Sequence, residues 1–211
     1  MTRGFSGLAL ALVLASPCAA QAPHRGAPWV GFGPVDSAYM LSTDTSIAFS
    51  GRTSLLLQAL PGADSTTFAY SQQIVDAAPF RSRRVRIGGR VRTWSASAAG
   101  LWVVVDGVAD GRPATLHAER LAPAVQGTST WRLVSLVVDV DAAARCIRFG
   151  SELRGVGAVW LDAVAVDTVP PTVPPTAPAA APEPRGEPGA AVRSCEGMLP
   201  APVDLDFEES P

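Results

Sequence analysis

Residues 83–94 read RRVRIGGRVRTW. Val85, Ile87, Gly89, Val91 and Thr93 share one parity, and Arg84, Arg86, Gly88, Arg90, Arg92 and Trp94 the other. Side chains alternate faces along a strand, so one set meets a core and the other meets water. The Val/Ile set takes the core, and Gly88-Gly89 marks a bend or bulge. The same period recurs on both sides. Residues 101–106 (LWVVVD) turn Leu101, Val103 and Val105 inward and Trp102, Val104 and Asp106 outward. Residues 132–140 (RLVSLVVDV) bury Val134, Leu136, Val138 and Val140. Further strands are expected at 46–49, 54–59, 66–75, 146–153 and 157–167, the last containing VWLDAVAV at 159–166. Residues 107–130 read as a long excursion in which only 117–121 could form a helical turn. Short alternating runs cut by Gly, Asp and Pro, with no competing 3.6-residue period, predict an all-β antiparallel sandwich.

Composition bounds the function. At 211 residues, 47% hydrophobic and 17% charged, the chain buries one core plus accessory segments. Its 17 basic residues are all Arg, and the net charge of -2 argues against a general nucleic-acid partner. The local exception, Arg81, Arg83, Arg84, Arg86, Arg90 and Arg92, reads as the solvent face of a strand. Residues 1–20 read as a secretory signal: Arg3 precedes an apolar run, Phe5 to Ala15, too short to span a bilayer, and Cys18-Ala19-Ala20 sets small residues before a cut at Gln21. Pro17 disfavours the alternative of a lipid on Cys18. A short leader, 21–28, follows. The expected location is secreted or periplasmic, with no membrane span. Two cysteines then remain, Cys146 and Cys195, open either to a disulfide in an oxidising compartment or to one buried and one idle thiol.

The sandwich is expected over 29–169. Eight prolines within 170–188 make 170–196 an extended linker that no packed core would tolerate. In the C-terminal segment 197–211, Val203, Leu205 and Phe207 alternate with Asp204, Asp206 and Glu208. A frayed tail has no need of that pattern, so 203–207 is expected to form a strand returning to the sandwich.

Ser50-Gly51-Arg52-Thr53-Ser54-Leu55, the 80–91 stretch FRSRRVRIGGRV, Gly100-Leu101-Trp102 and Val159-Trp160-Leu161-Asp162-Ala163-Val164 together resemble galactose-binding-like jelly rolls, the fold of many carbohydrate-binding modules. The likeness covers residues 29–169. Many such domains open with a strand close to Asn-Leu-Asp-Phe-Glu; here Asp204-Leu205-Asp206-Phe207-Glu208 stands at the C-terminus instead. The chain is also similar to bacterial modules found alone in exported proteins or attached to transcription regulators. The resemblance implies a structural Ca²⁺ near the first and last strands, where Asp162 and Glu208 would supply hard oxygen ligands. Asp204 in place of Asn and Ala163 in place of a second Asp depart from the pattern.

Catalytic devices are not legible. His24 and His117, with two distant cysteines, make no zinc cluster, and His117 lacks a Gly-x-Ser-x-Gly partner. Asp106, Asp139, Glu152 and Asp162 are strand-end carboxylates rather than an evident glycosidase pair. The expectation is therefore a non-enzymatic module needing no cofactor beyond that calcium. Sugar binding requires rings for C–H faces and polar groups for hydroxyls. Trp94, Arg90, Arg92, Trp102 and Asp106, joined by Tyr70 and Gln72 from a neighbouring strand, carry that mixture on what parity reads as one outer face. A carbohydrate or envelope glycan is the first partner this suggests, and a protein the alternative.

Overall fold

The computed structural model describes residues 28–33, 37–176 and 195–208. The expected signal (1–20), the leader up to residue 27 and the linker from 177 to 194 lie outside the described residues.

Among the described residues nine strands form: β1 (Val30–Phe32), β2 (Tyr39–Asp44), β3 (Ser54–Ala59), β4 (Phe68–Asp76), β5 (Arg83–Ala109), β6 (Arg112–Arg120), β7 (Val125–Val140), β8 (Ala144–Arg154) and β9 (Ala158–Val169). One 3-10 turn, Ala78–Phe80, breaks the series, and the named strands pair antiparallel. The 27-residue β5 organises the fold. Its first half, to Trp94, lies between β7 and β9; its second half, from Ala98, lies between β8 and β6. Two layers result, a back layer β2-β3-β9-β5-β7 and a front layer β1-β4-β8-β5-β6, joined through one strand.

Parity fills the space between them. Val85, Ile87 and Val91 from the back half of β5 meet Leu101, Val103 and Val105 from its front half, with Leu57, Leu136, Phe149, Leu153 and Leu161 in the same buried cluster. Each such side chain contributes about 1.5–3 kcal/mol by leaving water.

Three local expectations are corrected. Residues 83–94 and 101–106 are one strand, not two neighbours; Ser95 takes a positive φ of 47° and the chain crosses between layers there. Residues 46–49 form bends rather than a strand, because Asp44 Oδ1 accepts from the amides of Ser46 and Ile47 and turns the backbone. The excursion at 107–130 holds β6 and the start of β7, so His117 sits on a strand, half-buried, not in a solvated loop or helical turn.

The C-terminal segment does return, but residues 203–207 do not form the expected strand. Positive φ at Asp204 (46°) and Phe207 (61°) breaks the extended backbone that alternation requires. Side chains rather than a ladder dock it. The Gln73 amide donates to Val203 O at 2.8 Å and accepts from Val203 N at 3.0 Å. Trp29 Nε1 donates to Asp204 O, Val164 N donates to Leu205 O, and Phe207 is buried against the Trp29 ring, centroids 5.1 Å apart. Leu199 bridges Val75 in parallel at the edge of β4. A disulfide joins Cys146 on β8 to Cys195, fixing the start of this segment.

Candidate functional site

The front layer's outer face is read directly from its register. Phe32 lies beside Tyr70, Tyr70 beside Glu152, and Glu152 beside Gly100. In the next row Gly150, Trp102 and Arg120 are neighbours, then Arg148 and Val104, then Cys146, Asp106 and Thr115. Tyr70 and Gln72 come from β4, so the sequence expectation that they neighbour Trp102 and Asp106 corresponds to one real surface.

Trp102 is the floor of that surface. It points outward, as parity requires, yet is only 7% exposed. Its Nε1 donates to the backbone carbonyls of Ser71 and Ser151, each at 3.2 Å, and its ring packs on Tyr70 with centroids 5.0 Å apart. Gly150 allows the close approach of β4 to β8 beneath, since a Cβ there would strike the Ser71 carbonyl. Trp102 is therefore not the open platform anticipated. The accessible rings are Phe32 and Tyr70, stacked at 6.2 Å, and Phe68, which packs against Tyr70 and under the Arg154 guanidinium.

Charges are paired across the same face. Asp106, expected to contact ligand, is buried, with Oδ2 2.7 Å from Arg148 Nε and Oδ1 accepting from Thr115. Glu152 is 2% exposed, 3.3 Å from Arg154 Nε and 3.9 Å from Arg120 Nη1. Burial pushes its carboxyl above the ordinary range, against the pull of Arg120 and Arg154. Arg154 Nη2 also donates to Tyr70 OH at 3.3 Å. Gln72 is nearly buried, and its Oε1 has no hydrogen-bond partner.

Arg90, Arg92 and Trp94 stand elsewhere. They face out from the back layer, because β5 has crossed between layers before it reaches Trp102. Arg90 lies 4.3 Å over the Phe49 ring and Arg92 5.8 Å over Trp160, while Trp94 is 55% exposed. The expected seven-residue group is thus two groups back to back. Arg120, Arg148 and Arg154 escaped the sequence reading as site residues. Their signal was the parity of Arg148, Gly150, Glu152 and Arg154 along 146–154, opposite the inward Ile147, Phe149 and Leu153.

The implied calcium does not fit. Asp162 accepts from the amides of Phe49 (2.6 Å), Ser50 (3.1 Å) and Ala163 (2.6 Å), and Glu208 from those of Arg52 (2.6 Å) and Thr53 (2.9 Å). These hydrogen bonds hold the Glu208 carboxyl below its ordinary range. Both carboxylates clamp the 49–53 loop with N–H donors: Asp162 accepts on both oxygens, and Glu208 accepts on Oε1 while its Oε2 lies 3.6 Å from Arg52 Nε. Among the described residues no group of three His, Cys, Asp or Glu could hold a metal ion. A cavity of about 570 Å³ borders this loop, lined by Thr45, Ser46, Ala48, Gly51, Arg52 and Thr53, and offers no ring.

Comparison with known proteins agrees with this geometry at the level of fold. No protein-family model matches the chain. It is 29% identical over 183 residues to the uncharacterized HTH-type transcriptional regulator YbfP of Bacillus subtilis (strain 168), covering 86% of this chain and 56% of the regulator. The chain thus spans about half the length of the curated relative it matches. The CBM22-1 xylan-binding domain of Paenibacillus barcinonensis Xyn10C superposes with a TM-score of 0.51 at 16% identity, over 67% of this chain and 85% of that domain. The fold is that of a carbohydrate-binding-module jelly roll. The CBM22-1–GH10 modules of Clostridium thermocellum Xyn10B, complexed with xylohexaose, match the same jelly roll with a TM-score of 0.53 at 13% identity, over 71% of this chain and 28% of theirs. No helix among the described residues is long and apolar enough to cross a membrane.

Proposed function

We propose that this jelly roll is an exported, non-catalytic module that binds a saccharide on the outer face of its front layer. The Tyr70 ring, stacked with Phe32 and joined on the same face by the guanidiniums of Arg120, Arg148 and Arg154, carries the reading. A saccharide supplies what this constellation takes: C–H faces for the ring and acceptors for the N–H groups. The fold shared with a xylan-binding domain supports it without choosing the ligand. The signal-like residues 1–20, together with the Cys146–Cys195 disulfide, support export. Asp106 and Glu152 are buried and paired with guanidiniums, which supports binding without cleavage.

A second reading rests on the back layer. Trp94, Leu133 (67% exposed) and Phe49 bring apolar surface among arginines, a composition suited to a protein partner. A glycan array probed with the full chain separates the two. Retained signal on a set of related glycans, lost in Tyr70→Ala, supports the saccharide reading. Silence across the array, with Trp94-dependent capture of a defined protein, overturns it.

A further inference from the structure

Charge on the front face is layered in depth. The Asp106 and Glu152 side chains are each 2% exposed, whereas those of Arg120, Arg148 and Arg154 are 18%, 18% and 33% exposed. Acceptors lie at the bottom and donors above them. A guanidinium carries five N–H donors in a fixed fork. Among the described residues, Arg148 uses Nε toward Asp106, Arg154 uses Nε and Nη2, and Arg120 approaches Glu152 only to 3.9 Å. Three guanidiniums lie above two buried carboxylates, with Asp76 a third carboxylate at the end of the face beside Cys146, and the surface between Tyr70 and that end is donor-rich.

A neutral sugar offers hydroxyls that both give and take, and a site for it mixes donors with acceptors. Among the described residues this face offers open acceptors only at its two ends, Tyr70 OH at one and Asp76 with the Thr115 hydroxyl at the other, and guanidinium N–H groups fill the ground between them. From that imbalance we infer that the ligand is an acidic glycan, whose sugars carry carboxylates. One carboxylate is seated on the free guanidinium N–H groups of Arg120 and Arg148, and the ring of its sugar lies toward Tyr70 and Gln72. Guanidinium and carboxylate match in plane and spacing, and such pairs are stronger than neutral hydrogen bonds. The inference deepens the saccharide reading above and rests on it.

The test uses the full chain, titrated calorimetrically with oligogalacturonate, with its methyl ester and with neutral xylo-oligosaccharide. The free acid is expected to bind at least about tenfold tighter than its ester, the margin of a single charged hydrogen-bonded pair. Arg120→Gln should erase most of that preference, with Arg148→Gln as a second variant should the first fold poorly. Arg132→Gln on the back layer should leave it intact. Equal affinity for acid and ester, or binding of the neutral oligosaccharide alone, overturns the acidic ligand while the saccharide reading stands. A loss in Arg132→Gln equal to that in Arg120→Gln also overturns it, because the attraction would then be to arginine at large. Binding to none of the three, joined to a silent glycan array, removes both.

Discussion

Arg90 and Trp102 lie on the same strand and face away from each other through opposite layers of the molecule. Parity along β5 places both outward, and both are outward. The crossing at Ser95 means that outward is the back of the sandwich for one and the front for the other. A single strand therefore serves two surfaces, and substitutions on it should divide into two classes.

Trp102 belongs to the structural class. Its ring is covered and its N–H bridges two carbonyls, so Trp102→Ala should cost about 3–5 kcal/mol of stability. Trp102→Phe keeps an aromatic ring but strands the Ser71 and Ser151 carbonyls, for about 1–3 kcal/mol. Trp94→Ala should stay within about 0.5 kcal/mol. Urea denaturation checks all three, and an unchanged midpoint for Trp102→Ala would contradict the buried placement.

The C-terminal segment should act as part of the core. Phe207→Ala should cost about 3–5 kcal/mol by emptying the space against Trp29. Deleting the chain from Met198 onward should lower the melting temperature by at least as much. A truncated chain that melts with the full one would show that the docking by Gln73 and Phe207 contributes nothing.

Replacing both Cys146 and Cys195 with Ser opens a loop whose ends are separated by 49 residues. In the chain-entropy model that loss is on the order of 4 kcal/mol. Thiol counting on the unreduced, denatured full chain should find neither Cys146 nor Cys195 titratable. Two reactive thiols at these positions would contradict the bond.

The layers, their inward faces and the return of the tail were legible because a strand's period is two and the core enforces it. Val85 through Val91 and Leu101 through Val105 point where their parity sends them. What parity cannot carry is a change of layer within one strand, and that change separated Arg90, Arg92 and Trp94 from Tyr70, Gln72, Trp102 and Asp106. Nor does it report depth, so an outward Trp102 was read as exposed when Tyr70 covers it. Alternation at 203–207 did not mark a strand: Val203 is exposed, Asp204 is buried, and Phe207 enters the core without a ladder. Asp162 and Glu208 were read as calcium ligands, whereas here they hold the 49–53 loop. Their partners, the amides of 49–53, have no side-chain signature in the sequence.

Acidity should reveal the buried carboxyl. Burial raises Glu152 above its ordinary 4.5, so the folded chain holds this proton more tightly than the unfolded one. Stability on this count is highest below pH 4.5 and declines as pH rises through the folded value. Asp139 works in the opposite sense: the hydrogen bond from Arg84 lowers it below 3.8, and its contribution, small at an exposed site, fades as pH falls. Glu152→Gln should flatten the decline above pH 4.5. Parallel stability curves for variant and parent over roughly pH 4.5–8 would contradict the assignment.

The most direct measurement is the affinity of the full chain and of two single variants, Tyr70→Ala and Trp94→Ala, for one glycan retained on the array. A front-face site predicts a loss of at least about tenfold in Tyr70→Ala, as for an aromatic anchor, and an affinity unchanged within error in Trp94→Ala. Loss in Trp94→Ala with Tyr70→Ala unaffected would place the saccharide on the back layer and contradict the front-face site.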